Sequence, residues 1–598
     1  MENISSEEKK IILDKLVNVG INITPEMLNF ILTLPNPLEE VNHFIKKTSF
    51  LPTFTNHLTD EVLMKISENE IKRALSRNIK EKNQLQIEPI EQDKKIEQGE
   101  KLKPKVLKDN NKLKKKKLEA NFEISSYSEK SINSIISRSP NINENMESII
   151  KKKNNKVRIV KATGANKSTF SFNPIAKEYD SYYEIIKDPT GKIHTSGEYE
   201  DFYNLTIDKY DQLRKLMKKR PETLSASNIA NILRNSRDQF VSVIGLVNEI
   251  RETKNNNYFL IIEDSTGLIN VIVKRDTENL ENLITVEKTI QDQMIYIEGT
   301  YNPGEKGNRG IIFATNILKI DIPNNYSPNI SPNPLSIALL SDLHIGSKEF
   351  EIKLWKKFIQ FLNGKVNDNK LRNIAGKIKY IIINGDLIDG VGVYPNQKED
   401  LIIKDIYKQY KKASELLSDI PDYIQIFYSS GNHDPVRNAL PRPAVPKKYS
   451  NDLINIGVKC IGNPSLIRTH EVNTLIYHGD SILDMNLLIN GLENEKPTKT
   501  MIEFLKCRHL APVYGKRTQI APTSQDWLVI DKIPDIFHTG HVHINGRDKY
   551  KNVTLINSGC FQAQTDFMKS FGISPTPGIV PIIELDTYKC SEIDFKHI

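Results

Sequence analysis

The stretch "YIQIFYSSGNHDP", Tyr423–Pro435, decides how this chain is read. Its first half is an apolar run rich in aromatic and β-branched residues, as in a strand, and its second half is a polar turn. Gly-Asn-His-Asp needs no function to explain it as a turn, because Asn and Asp close turns by bonding their own backbone. As a site it would set a neutral oxygen ligand, Asn432, beside an imidazole, His433. What stands at the ends of the other strands separates the two readings.

Four more apolar strands end in the same manner. "LSIALLSDLHIG" carries Asp342 and His344, and "IKYIIINGDLIDG" carries Asp386 and Asp389. "NTLIYHGDS" carries His478, and "DIFHTGHVHING" carries His538, His541 and His543. Eight of the twelve histidines lie between His344 and His543. Any one of these pieces alone is an ordinary turn; five in order are not. Two divalent cations about 3.5–4 Å apart can clamp both the attacking and the leaving oxygen of an in-line phosphoryl displacement. Few carboxylates, with imidazoles and an amide oxygen, leave such a pair net positive. Asp342 and His344 are two residues apart, as are His541 and His543, so strand alternation would aim each pair to one side.

Around this region the chain changes character several times. At 598 residues it has room for about four domains. Its net charge of +8 suits a polyanionic partner only if the surplus is concentrated. The N-terminus is acidic where a signal peptide would be basic and then apolar, and no apolar run is long enough to span a membrane, so a soluble cytoplasmic protein is expected. Cys460, Cys507, Cys560 and Cys590 form no C-x-x-C, which disfavours a disulfide framework or a zinc ribbon.

Residues 1–78 have apolar positions at helical spacing and are expected to form a small helical domain. Residues 79–155 lose their aromatics and include the run Lys114–Lys117, the signature of a basic disordered linker. Residues 156–237 read as a mixed connecting region. From 238 to 325 three strands, a helix and two more strands follow, the order of an OB-fold barrel, which serves elsewhere as a scaffold or as a reader of single-stranded nucleic acid. Few exposed aromatics are evident in those strands, so both roles stay open. Residues 335–598 alternate strands and helices and end in a hairpin, "GIVPIIELDTYKCSEIDF".

The series "SDLHIG", "NGDLIDG", "SGNHD", "YHGDS" and "TGHVH" resembles the calcineurin-like metallophosphoesterase superfamily. With "GDLIDGVGVYPNQ", "CRHLAPVYG", Ala521-Pro522, "FHTGHVH" and "NSGCFQAQTDF", the chain looks like the small-subunit family of archaeal D-family DNA polymerases. The resemblance implies an α/β metallophosphoesterase sandwich core, preceded by the OB-fold barrel and the helical domain. It implies two divalent metal ions, Mn²⁺ or Mg²⁺. One would be held by Asp342, His344, Asp386 and His543, and the other by Asp386, Asn432, His478 and His541. His433 would be the unligated catalytic imidazole.

The implied activity is 3′–5′ exonucleolytic proofreading of DNA. The implied partners are a large catalytic polymerase subunit, a DNA 3′ end and, as a candidate, the sliding clamp, with no membrane. A purely assembling subunit and a free-standing phosphodiesterase are the alternatives. Asp434 is expected either to orient His433 or to cap its own turn, and Asp389 to cap the turn after Asp386. Arg508 and His509 are expected to contact DNA phosphate or to be merely solvated. His538 and His470 are not expected among the ligands.

Overall fold

The computed structural model describes residues 172–275, 280–304, 310–570 and 572–598, with the isolated pair Ile31 and Leu32. The helical domain and the basic linker expected before residue 156 otherwise lie outside the described residues. The architecture is mixed α/β with a closed five-stranded barrel.

Strand β1, Tyr183–Lys187, comes first and is followed by helix α1, Tyr199–Met217. The barrel strands are β2 (Gln239–Glu252), β3 (Tyr258–Asp264), β4 (Gly267–Val273), β5 (Met294–Asn302) and β6 (Ile311–Lys319), with helix α2, Leu280–Glu287, between β4 and β5. They close in the order β2-β3-β4-β6-β5. Leu260, Val271 and Ile312 stand side by side on three neighbouring strands and fill the interior, as period-two alternation requires. One residue along, Phe259, Ile272 and Phe313 form the matching row on the outer face. Arg251 lies over Phe259 and Lys274 over Phe313, and Phe240 is 66% exposed. The outer face thus carries more aromatic surface than the sequence suggested.

The remaining strands are β7 (Ser336–Leu340), β8 (Ile378–Asn384), β9 (Gln425–Ser429), β10 (Lys459–Ile461), β11 (Ser465–Thr469), β12 (Val472–Ile476), β13 (Ile536–Thr539), β14 (Gly546–Tyr550), β15 (Val553–Asn557), β16 (Ile579–Glu584) and β17 (Cys590–Asp594). They build two six-stranded sheets, β10-β9-β8-β7-β16-β17 and β1-β11-β12-β13-β15-β14. Along β8 the side chains of Tyr380 and Ile382 enter the core shared by the two sheets, while Ile378, Ile381 and Ile383 face helices α3 (Ile352–Leu362) and α4 (Ile406–Leu417). In the other sheet Ile476 and Ile556 face that shared core, while Leu475 and Leu555 face helix α5, Pro497–Cys507. A strand covered on both faces reads as an unbroken apolar run, which is why "IKYIIIN" shows no polar alternation.

The segment read as a connecting region contributes β1, which pairs antiparallel with β11 at the edge of a sheet. The barrel therefore stands in the chain between two parts of one sandwich. It is also joined to that sandwich by a buried ion pair, Lys319 Nζ to Glu503 Oε2 at 3.3 Å. All four cysteines are free thiols, and among the described residues no helix is long and apolar enough to cross a membrane.

Candidate metal centre

Parallel strands β7, β8 and β9, and in the facing sheet β12 and β13, end on one edge of the sandwich, and the motif residues follow immediately. Asp342, His344, Asp386, His541 and His543 do not lie on strands, however. All five have left-handed backbone, with φ between 51° and 70°. Each pair converges through a turn past its strand end rather than by strand alternation, so the expected geometry is corrected while the convergence stands. Left-handed backbone is unfavourable for residues other than glycine, although Asp and His tolerate it better than most, and such conformations gather at functional sites.

Two motif glycines show how tightly the turns are packed. A Cβ on Gly385, at φ 84°, would stand 2.2 Å from His478 Nδ1, and one on Gly431 would stand 2.1 Å from Asp386 Oδ1.

The structure brings together all eight residues singled out by the sequence. His344 Nε2 lies 3.1 Å from His543 Nε2, and His543 Nε2 lies 3.4 Å from Asp342 Oδ1. Asp386 Oδ2 stands between the two halves, 3.9 Å from His344 Nε2 and 3.3 Å from His478 Nε2. His478 Nε2 is 3.0 Å from Asn432 Oδ1, and Asp386, His478 and His541 form one further cluster of potential ligand atoms. The His433 ring packs edge-on against His344 at 4.6 Å.

The donor set fits a cation. His344 Nδ1 lies 2.9 Å from Asp389 Oδ1 and His478 Nδ1 lies 2.9 Å from the Asn384 carbonyl. Both partners accept, so each Nδ1 must donate, and each ring, once neutral as a ligand must be, turns its Nε2 lone pair inward. The lone pair of His478 then faces the Asn432 oxygen, and that of His344 faces a second imidazole. Asp342 Oδ1 is buried without a hydrogen-bond partner. Lone pairs and carboxylate oxygens directed at one another are what a positive ion would reconcile.

The electrostatics show the same tension. Burial works against the charged form of Asp342 and Asp386, yet neighbouring histidines override it and hold both carboxyls well below the usual range. Burial likewise opposes protonation of His478, but Asp386 together with Asp342 and Asp480 outweighs it and lifts the imidazole to about 10, so that without a cation the ring itself takes up at Nε2 the positive charge the carboxylates call for. Burial, aided by His478, pushes His541 down to about 4.

Several neighbours have roles the sequence did not assign. Asp389, read as a turn cap, holds the His344 ring, and its backbone carbonyl takes the Nδ1 proton of His433 at 2.7 Å. Gln397 and Gln562 donate to its two carboxylate oxygens. Asp434 does not orient His433: it accepts from the backbone N–H of Gly431 at 2.8 Å and of Asp386 at 3.1 Å, and from Tyr410 and Tyr428. The capping alternative is the one observed.

Asp480, inside "YHGDS", forms a buried two-pronged pair with Arg442, which ties the chain after the His433 turn to the end of β12. The motif offered a signal for Asp480 and none for Arg442. Arg508 and His509 are buried, not exposed to DNA or solvent. Arg508 donates to the carbonyls of Ile530 and Asp531, and His509 pairs with Asp526 at 2.9 Å. His538 bonds Ser558 and His470 bonds Asn333, and neither belongs to the groups of potential ligand atoms.

The family of B subunits of DNA polymerases alpha and epsilon matches residues 337–544. The DNA polymerase II small subunit of Methanothermobacter thermautotrophicus is 40% identical over 420 residues, covering 70% of this chain and 84% of its own length. The chain belongs to the DNA polymerase II small-subunit family. Another family member, from Pyrococcus furiosus, is 36% identical over 71% of this chain and 70% of its own length. The small subunit of Methanocaldococcus jannaschii is 38% identical over 69% of this chain and 68% of its own. A solved structure described as a novel archaeal phosphodiesterase covers 43% of this DNA polymerase II small-subunit chain and 99% of its own, at 14% identity and TM-score 0.22, too loose an overlay to weigh.

Proposed function

We propose that this small subunit, besides assembling with the large catalytic subunit of a two-subunit archaeal DNA polymerase, is a metal-dependent 3′–5′ exodeoxyribonuclease that proofreads the growing strand. Nucleotide addition belongs to the large subunit. The observation that carries the reading is the mutual approach of Asp342, His344, Asp386, Asn432, His478, His541 and His543 with inward lone pairs and an unpartnered buried carboxylate oxygen. Asp342, His344, Asp386 and His543 would hold one divalent ion and Asp386, Asn432, His478 and His541 a second, manganese or magnesium. Two such ions, when bound, supply the positive charge that an in-line attack on a phosphodiester needs. The barrel, in this reading, is an OB-type scaffold beside a metallophosphoesterase core.

The chain's own contribution centres on His433. Its Nδ1 donates to the Asp389 carbonyl and its backbone N–H donates to Asp386 Oδ1, so ring and main chain are both held. The remaining nitrogen, Nε2, carries the transferable proton and hands it to the departing 3′ oxygen. Asp389 also steadies His344, so one residue sets the orientation of a ligand and of the proton donor.

The test is release of mononucleotides from single-stranded or mispaired 3′ ends by the full chain, alone and with its large subunit. Mn²⁺ is expected to support it and a chelator to stop it. His433→Ala is expected to lower the rate by about 10²–10⁴-fold with metal content and melting unchanged. Undiminished cleavage in that variant sinks the proton-donor role. Association with the large subunit without any cleavage favours the purely assembling alternative.

A further inference from the structure

Past the His433 turn the chain runs through "PVRNALPRP", Pro435–Pro443, whose two arginines are held in opposite ways. Arg442 is buried and paired with Asp480. Arg437 is half-buried and bonds only carbonyl oxygens: Nε and Nη2 donate to Pro441 at 2.8 and 2.6 Å, and Nη1 donates to Ile193 at 3.4 Å. A guanidinium has five N–H groups, so two of them have no partner among the described residues. Burial and Arg442, another cation, both work against the charge of Arg437, and no carboxylate offsets them.

Two further segments flank this loop. Leu440 bonds the backbone of Gln519 and Ala521, which brings Lys516 and Arg517 close in the chain, and the contact with Ile193 brings Lys192. These three side chains are exposed, Lys192 lying over the Trp527 ring at 5.6 Å. The nearby carboxylates are engaged elsewhere: Asp480 by Arg442, Asp531 by Lys187, Asp484 by the backbone N–H groups of Arg517 and Thr518, and Asp188 by those of Thr190 and Gly462. Among the described residues none of Lys192, Arg437, Lys516 and Arg517 forms an ion pair. Arg442 donates to the carbonyls of Arg437 and Asn438 and also to Asp480, two residues after His478. One side chain thus spans from this cationic strip to the end of β12.

We propose that Arg437, with Lys192, Lys516 and Arg517, grips the phosphates of the DNA strand on the 5′ side of the bond to be cut. The inference rests on the nuclease reading of the site. A strand cut at its 3′ end has one nucleotide beyond the scissile phosphate and no further phosphate there, so a row of unpaired cations has only the retained strand to hold. Arg437 suits the contact, because carbonyls already fix its fork and little side-chain freedom is left to lose. Contacts to phosphate carry no sequence information, as a site that removes any of the four nucleotides requires.

Two measurements on the full chain test this. In the first, a single-stranded oligonucleotide is bound with Ca²⁺ in place of Mn²⁺, and its affinity is read by fluorescence anisotropy as salt is raised. Arg437→Ala should bind about tenfold more weakly at low salt, with the slope of log affinity against log salt shallower by about 0.7. Arg437→Lys, which keeps the charge, should restore most of that slope. Lys192→Ala, Lys516→Ala and Arg517→Ala combined should make the slope shallower by about 2. Lys596→Ala removes the same charge beyond β17 and should leave the slope as it is in the natural chain. Slopes equal to the natural chain's in Arg437→Ala and in the triple variant overturn the grip.

In the second, cleavage of an oligonucleotide in Mn²⁺ is compared with cleavage of a dinucleotide, which has no phosphate on the 5′ side of its single bond. The ratio of kcat/KM, long over short, should fall about tenfold in Arg437→Ala. Equal slowing on both substrates overturns the grip. Binding that the variants weaken, without any cleavage by the natural chain, refutes the nuclease and leaves the grip standing. Cleavage with unaltered slopes does the reverse.

Discussion

In the barrel the side chains that matter sit on strands, facing neighbours across an ordinary ladder, and Leu260, Val271 and Ile312 could each be another apolar residue of like size. In the candidate metal cluster every important side chain stands beyond a strand end, and five of them are in left-handed backbone. The barrel depends on a class of residue at alternate positions. The cluster depends on particular residues at particular positions, with unfavourable local conformations held by the sheets beneath. Damage to the first should therefore appear as lost stability, and damage to the second as lost metal and lost chemistry.

The sharpest way to break the comparison is inside the barrel. Leu260→Ala removes a fully buried side chain and is expected to cost about 2–5 kcal/mol of stability. Metal affinity measured below the melting range should not change; a loss of metal in this variant would mean the two regions are one cooperative site.

Glu263 comes next, a buried carboxyl at the end of β3 that accepts from Asn248 Nδ2 at 3.1 Å. Burial pushes it up to about 7, from 4.5 when free. Because the folded pKa is the higher, the folded state holds the proton more tightly, and stability falls as pH rises from 4.5 to 7. Glu263→Gln should leave stability unchanged near pH 4 and raise it by up to about 3 kcal/mol at pH 8. A gain that does not vary with pH in denaturant titrations contradicts this account.

On the cluster side, Asp389→Ala releases the His344 ring and is expected to weaken metal binding by about 10–100-fold. Calorimetric titration with Mn²⁺ reads this directly, and unchanged affinity would show that His344 needs no such support. The smallest effect belongs to neither region. Asp368 caps the helix Asn369–Gly376 by accepting from Lys370 N and Leu371 N, so Asp368→Ala should cost about 1 kcal/mol, visible as a small shift in the denaturation midpoint with full metal affinity.

These contrasts also explain what could be read from the sequence. The barrel strands were legible because alternation and apolar runs survive any choice among Val, Ile and Leu. The residues of the cluster were legible because chemistry restricts them to Asp, Asn and His at the ends of apolar runs. The means of convergence was not, since a left-handed Asp or His looks like any other in a sequence. Arg442 was hidden for a different reason: its partner Asp480 is 38 residues away, and nothing local marks an arginine that will be buried. Arg508 and His509 were misplaced because a basic run in a loop reads as surface, whereas the carbonyls of Ile530 and Asp531 and the carboxylate of Asp526 satisfy them inside. Strand β1 was missed because "YEIIK" is too short to stand out from a mixed segment.

That short strand changes how the protein can come apart. Since β1 is stitched to β11, the barrel is a loop of chain sewn into the sandwich at two seams, one before α1 and one after β6. A protease that cuts only between residues 321 and 335 would leave the halves joined through β1 and through Lys319 and Glu503. Shortening the protein to begin at residue 238 would unzip one seam and leave the backbone of β11 bare along the edge of its sheet, open to pairing with another chain.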